Sequence, residues 1–98
     1  MKDGMRPIHP GEVLREDFLV PLKMSACKLA DILGVPHNRV SSIVAEARDV
    51  TPDTALRLYR AFGVSAEFWL NLQQSYDLKN AEKVADHGHI KRVAQKVA

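Results

Sequence analysis

His37, Asn38, Arg39 and Ser42 fall within six consecutive positions, and each carries hydrogen-bonding atoms suited to the edges of nucleic-acid bases. An asparagine can bond an adenine edge twice. An arginine can grip a guanine edge with two N–H groups, and a serine hydroxyl can meet either base. His37 can donate to a base edge or to a phosphate oxygen. Ser25, Lys28, Ser41 and Arg48 lie around this run, and their hydroxyls and cations suit phosphate oxygens. Phosphate contacts fix the register of a protein on a duplex without reading sequence. Backbone N–H groups at helix starts add further phosphate donors. Polar residues of these kinds also cover ordinary solvated helix faces, so the run alone decides little.

Its setting decides more. Ser25 suits a helix N-cap, and Ala26, Leu29, Ala30 and Leu33 repeat at the i, i+3, i+4, i+7 spacing of one buried stripe. Gly34 supplies the left-handed residue that commonly closes a helix. A second helix begins at once, with Pro36 in its first turn and Val40, Ile43 and Ala47 as a narrow apolar stripe. A short helix, a tight glycine turn and a second helix cross steeply. The second helix can then enter a DNA major groove while the first crosses the phosphate backbone. The helix-turn-helix is placed between Ser25 and Ala47.

The other elements frame this pair. A first helix is expected from Pro10 to Leu19, ended by Pro21, which disfavours helical angles at Val20. A fourth begins at Thr51 with Pro52 and Asp53 in its first turn, and carries Ala55, Leu58, Tyr59 and Phe62 as its stripe up to Gly63. A fifth begins at Ser65 and continues to about Ala85. No run alternates in the manner of a strand. The expected fold is all-α: a five-helix domain over residues 7–85 with a basic extension over 86–98, disordered or a short helix.

The fifth helix has two uses to fill. Phe68, Leu72 and Tyr76 stand four apart, while Trp69 and Leu70 add apolar surface on neighbouring faces. Aromatic stripes usually pack inward, yet tryptophan and tyrosine also favour interfaces. The expected division has Phe68 and Leu72 inward, and Trp69, Leu70, Gln73 and Tyr76 shared with a second copy of the chain.

Composition narrows the classes. Ninety-eight residues fit one domain, and a net charge of +2 is too weak to name a partner. The distribution says more: residues 79–98 hold Lys79, Lys83, Lys91, Arg92 and Lys96 against Glu82 and Asp86, so the basic excess sits at the end. The single cysteine, Cys27, has no partner for a disulfide within the chain and reads as a small half-buried side chain. No signal-like or membrane-spanning run is evident, which points to the cytoplasm. His87 and His89 lack a third ligand at metal spacing, and His9 before Pro10 reads as a local cap. The carboxylates form no acid–base pair. Neither an enzyme, a metal nor any other cofactor is expected.

Several blocks resemble a known family. They are His9-Pro10-Gly11-Glu12-Val13-Leu14, Leu29-Ala30, Gly34-Val35-Pro36, Asn38-Arg39-Val40, Asp53-Thr54-Ala55-Leu56-Arg57-Leu58, Gly63 to Gln73, and Tyr76-Asp77-Leu78. Together they resemble the HigA-type antitoxins, also called virulence-associated protein I, of the XRE (Cro/C1-type, lambda-repressor-like) helix-turn-helix group. The resemblance covers about Pro7 to Lys83. It implies a homodimer bound to a palindromic operator, repression of its own operon, and neutralisation of a RelE-like mRNA-cleaving toxin. It places base contacts on His37, Asn38, Arg39 and Ser42 and the dimer surface on the fifth helix. One departure stands out: the Asn-Gly-Lys-like turn usual after the recognition helix reads Ala45-Glu46-Ala47-Arg48, with an acid where the family has glycine. Two alternatives stay open at this point. One is a solitary regulator without a toxin, and the other is a protein-binding module that has lost DNA.

Overall fold

The computed structural model describes residues 6–93, and among them there are five helices and no strand. The first, α1, runs over 10–22 in three continuous stretches: Pro10–Val13, a wider π-wound Leu14–Leu19, and a last turn Val20–Leu22. The others are α2 (Ala26–Leu33), α3 (His37–Val44), α4 (Pro52–Phe62) and α5 (Ala66–Val84). The capping signals act as their sequence suggests. Ser25, Thr51 and Ser65 accept the N–H groups of Lys28, Thr54 and Phe68 at 3.0, 3.4 and 3.1 Å. Gly34 and Gly63 close α2 and α4 in the left-handed conformation. His9 caps α1, its Nδ1 accepting the Gly11 N–H at 2.8 Å.

α1 outlasts its expected end at Leu19. Val20 keeps helical angles of φ −62° and ψ −51°, and Pro21 lies inside the helix. A proline there lacks an N–H, and its ring presses on the carbonyl four residues back. The π-wound turn relieves that pressure: the Val20 N–H bonds the Arg15 carbonyl, five residues back, and the wider turn moves the crowded carbonyl aside. The helix stops at Lys23 instead, held left-handed at φ 54°. A β-carbon disfavours that conformation by roughly 1–2 kcal/mol. Lys23→Gly is therefore expected to raise stability by about 0.5–1 kcal/mol, once the extra unfolded-state freedom of glycine is set against the strain relieved. A urea-unfolding midpoint reads this, and a lowered midpoint would show that Lys23 makes contacts worth more than the strain.

The core gathers on Trp69, which is fully buried among Leu14, Leu29, Ala30, Val40, Ile43, Ala55 and Leu58. The Phe18 and Phe68 rings lie 5.3 and 5.1 Å from the indole. This changes the expected division of α5 in part: Leu72 packs against the core as expected. Trp69 and Gln73, expected on a dimer surface, are instead buried within the single chain, while Phe68, expected inward, is exposed. The reason is register: the inward stripe of α5 is centred on Trp69 and Gln73, four apart, with Leu70 and Leu72 packed at its sides and Phe68 at its exposed edge. Gln73 is buried because Val50, at the entry to α4, needs a partner; its Oε1 accepts the Val50 N–H at 2.7 Å. Its Nε2 donates to Asp49 and Asp77 at 3.2 and 3.0 Å. Leu70 and Tyr76 are half-buried, and the Tyr76 ring stands edge-on to His9 at 4.8 Å.

Smaller departures follow the same logic. α3 stops at Val44, so Ala47 leaves the expected stripe and is exposed, its N–H bonded to the Ser42 carbonyl at 2.8 Å. Tyr59 is 45% exposed, and Cys27 is exposed where partial burial was expected. Residues 85–93 carry no helix and are exposed; the end of the basic extension, 94–98, lies outside the described residues. Among the described residues, no helix is long and apolar enough to cross a membrane.

Candidate nucleic-acid interface

α3 is fastened to the body by Val40 and Ile43, both 1% exposed, and packs most extensively on α2. A helix anchored along one stripe must turn the opposite stripe outward. That stripe holds Asn38 and Ser41, one turn apart and exposed, followed by Ala45. Ser42 lies beside them, half-buried. His37 and Arg39 occupy the two flanks. The outward stripe is therefore polar, and its third member is small.

Both flanking side chains meet a carboxylate from a neighbouring helix. His37 Nε2 lies 2.8 Å from Asp31 Oδ1 on α2. Arg39 Nη1 donates to Asp53 Oδ2 on α4 at 2.8 Å. The same Asp53 oxygen accepts from Arg57 Nε at 2.9 Å, and Arg57 Nη1 donates to the Leu33 carbonyl at the end of α2 at 2.7 Å. These bonds link α2, α3 and α4. The hydrogen bond from Arg57, then that from Arg39, holds the Asp53 carboxyl below the usual carboxylate range. A lowered folded pKa stabilises the protein above the ordinary carboxylate value, and that contribution disappears as pH falls through the lowered one. Asp53→Asn should thus flatten the acid limb of a stability-against-pH curve. A limb of unchanged slope would mean that Asp53 gains nothing from its two arginines.

Ser25, Lys28, Ser41 and Arg48 are all exposed. Ser25 spends a lone pair on its own helix start. Beyond α3, Glu46 takes the left-handed conformation at φ 63°, the geometry that glycine adopts most readily. Its carboxylate lies 3.3 Å from Arg15 Nη2, while Arg15 Nη1 donates to the Val44 carbonyl at the end of α3. The acid that stands out in the sequence is thus paired with α1. Arg15 and Glu46 are thirty-one positions apart, and neither residue type announces the pairing. The Asp53–Arg57 pair, not among the expectations, does carry a sequence signal that could have found it, the i, i+4 spacing.

The chain matches the helix-turn-helix family over residues 14–69. It is 54% identical over 82 residues to virulence-associated protein I of Dichelobacter nodosus, spanning 84% of this chain and 76% of that protein. The structure of an addiction-module antidote protein of the HigA family from Coxiella burnetii is 57% identical. It has a TM-score of 0.77 and covers 81% of this chain and 86% of that one. The antitoxin HigA of Pseudomonas aeruginosa, solved with the higBA promoter, is 40% identical with a TM-score of 0.83, covering 91% of this chain and 100% of that one.

Proposed function

This chain belongs to the helix-turn-helix family, in the XRE-type branch that holds the HigA antitoxins, and we propose that it is a sequence-specific DNA-binding antitoxin. In this reading it acts as a homodimer on a palindromic operator, represses its own operon and neutralises a RelE-like mRNA-cleaving toxin. The observation that carries the reading is the outward stripe of α3: polar, held rigidly by Val40 and Ile43, and flanked by His37 and Arg39. Two such helices about 34 Å apart meet successive major-groove faces of one duplex. Asn38, Arg39, His37 and Ser42 supply base contacts, and Ser41 shares the outward stripe with Asn38. Ser25, Lys28 and Arg48 meet phosphates. Leu70 and Tyr76, the half-buried members of the expected dimer surface, would form its edge, with exposed Phe68 beside them.

Titration of the protein against the DNA upstream of its own gene, with an unrelated duplex as competitor, tests the DNA half. Selective, salt-sensitive binding is the expected result. Equal binding to both duplexes would leave the protein-binding reading standing. Co-expression with the neighbouring frame tests the other half: growth arrest by that frame alone, relieved by this chain, is expected. Absence of any arrest would favour a solitary regulator.

The turn after α3 gives a further expected outcome. Glu46→Gly removes left-handed strain and one exposed ion pair and adds glycine's unfolded-state freedom, so stability should change by no more than about 0.5 kcal/mol. It also releases Arg15 Nη2, leaving the Arg15 bonds to Glu16 and the Val44 carbonyl in place, and removes a negative charge beside the end of α3. The slope of log affinity against log salt should then steepen by about one phosphate's worth, roughly 0.9. An unchanged slope would place this turn away from the DNA.

A further inference from the structure

Arg39 is a base-reading candidate, yet its guanidinium does not project freely into solvent. Its side chain is 31% exposed, and Nη1 is committed to Asp53. Among the described residues its Nε and Nη2 make no hydrogen bond, so one face of the fork remains open. Asp53 is itself fixed. It sits in the first turn of α4 and accepts from Arg57, whose other arm is tied to the Leu33 carbonyl of α2. A cation on a stem of three methylenes is thereby tethered to a carboxylate on a second helix.

We infer that Asp53 is the positioning residue that makes Arg39 a selective reader of one base pair, rather than a general phosphate contact. The inference rests on the reading of Arg39 given above. Two effects act in the same direction. A guanidinium already ordered by Asp53 loses less side-chain freedom when it meets a base edge, so the correct base gains affinity. A carboxylate bonded to the same guanidinium also opposes its turning to a phosphate, so the sequence-blind pose of Arg39 loses affinity. Both raise the ratio of specific to non-specific binding. Neither requires Asp53 to touch DNA. A guanidinium without this restraint would swing between base and backbone.

The test is a double-mutant cycle on the full chain, with Asp53→Asn, Arg39→Ala and the pair. Each is titrated against the upstream operator, against operators changed at single base pairs, and against a random duplex. Asp53→Asn should lower operator selectivity about three- to tenfold, with random-duplex binding equal or tighter. The lost discrimination should fall at the same base pair that Arg39→Ala affects. In the Arg39→Ala background, Asp53→Asn should leave selectivity unchanged. Asp53→Glu, which keeps the charge and moves it, should lose selectivity without gaining random-duplex affinity. Thermal unfolding of each variant separates these effects from misfolding. Selectivity retained in Asp53→Asn while Arg39→Ala loses it would overturn the role of Asp53 alone. An equal loss from Asp53→Asn in both backgrounds would do the same, since it would act through Arg57 or the fold. Full base preference in Arg39→Ala would instead overturn the reading of Arg39, and the role of Asp53 with it.

Discussion

Gly11→Ala is expected to destabilise the protein by about 3 kcal/mol, the upper end of what overpacking costs, although it places a better helix former inside a helix. In an open helix the same change stabilises by roughly 0.5–1 kcal/mol. Here a β-carbon on Gly11 would lie 1.8 Å from the carbonyl oxygen of Ile43 and 2.7 Å from its carbon. Both are backbone atoms, and no rotamer change moves them. The remaining neighbour, His9 Nδ1 at 3.0 Å, is the cap of the same helix and is buried. Either α1 must move off the end of α3 or the cap must break. The Ile43 carbonyl also accepts the Glu46 N–H at 2.9 Å, so displacing it disturbs the turn after α3. Gly11 therefore sets the depth at which α3 sits. Urea unfolding measures the loss, and operator titration under native conditions should show weakened binding from the shifted helix. A rise in the unfolding midpoint would mean that the two helices can part at little cost.

What could be read beforehand divides along physical lines. Helix starts and stops were legible because Ser25, Thr51, Ser65, Gly34 and Gly63 act through their own backbone or the next turn. The stripes of α2 and α4 were legible because one period recurs over several turns. α5 was misread because Phe68, Trp69 and Leu70 are consecutive and Leu72 follows closely, so periodicity could not choose between the Phe68 and Trp69 registers. What settles it is the need of the Val50 N–H for Gln73, twenty-three positions away. The path of α1 past Pro21 was hidden for a related reason: a π-wound turn changes the period itself. At the interface, the residue types on α3 were legible and their partners were not. Asp31 and Asp53 read as ordinary helix acids until the crossing of α2, α3 and α4 brings them to His37 and Arg39.

Arg39→Ala should weaken operator binding by about 1–3 kcal/mol, roughly five- to 150-fold. The size of the loss is less informative than its distribution over sequences. Truncation removes a cation and leaves Asp53 paired with Arg57 alone, so some repulsion from phosphates is added whatever the sequence. That part should appear equally with a random duplex. The part due to base reading should appear only with the operator, and should vanish when the base pair that Arg39 meets is changed first. The slope against salt should alter little for the base-reading part, because no counterion is released at a base edge. Lys28→Ala supplies the contrast. As an exposed cation on α2 it should weaken all duplexes alike and lower the slope by about 0.9. If the two substitutions give the same pattern, Arg39 is a phosphate contact, and base reading falls to Asn38 and the other polar residues of α3. If they differ in this way, Arg39 reads a base, and the Asp53→Asn cycle decides whether the Asp53 bond holds it there.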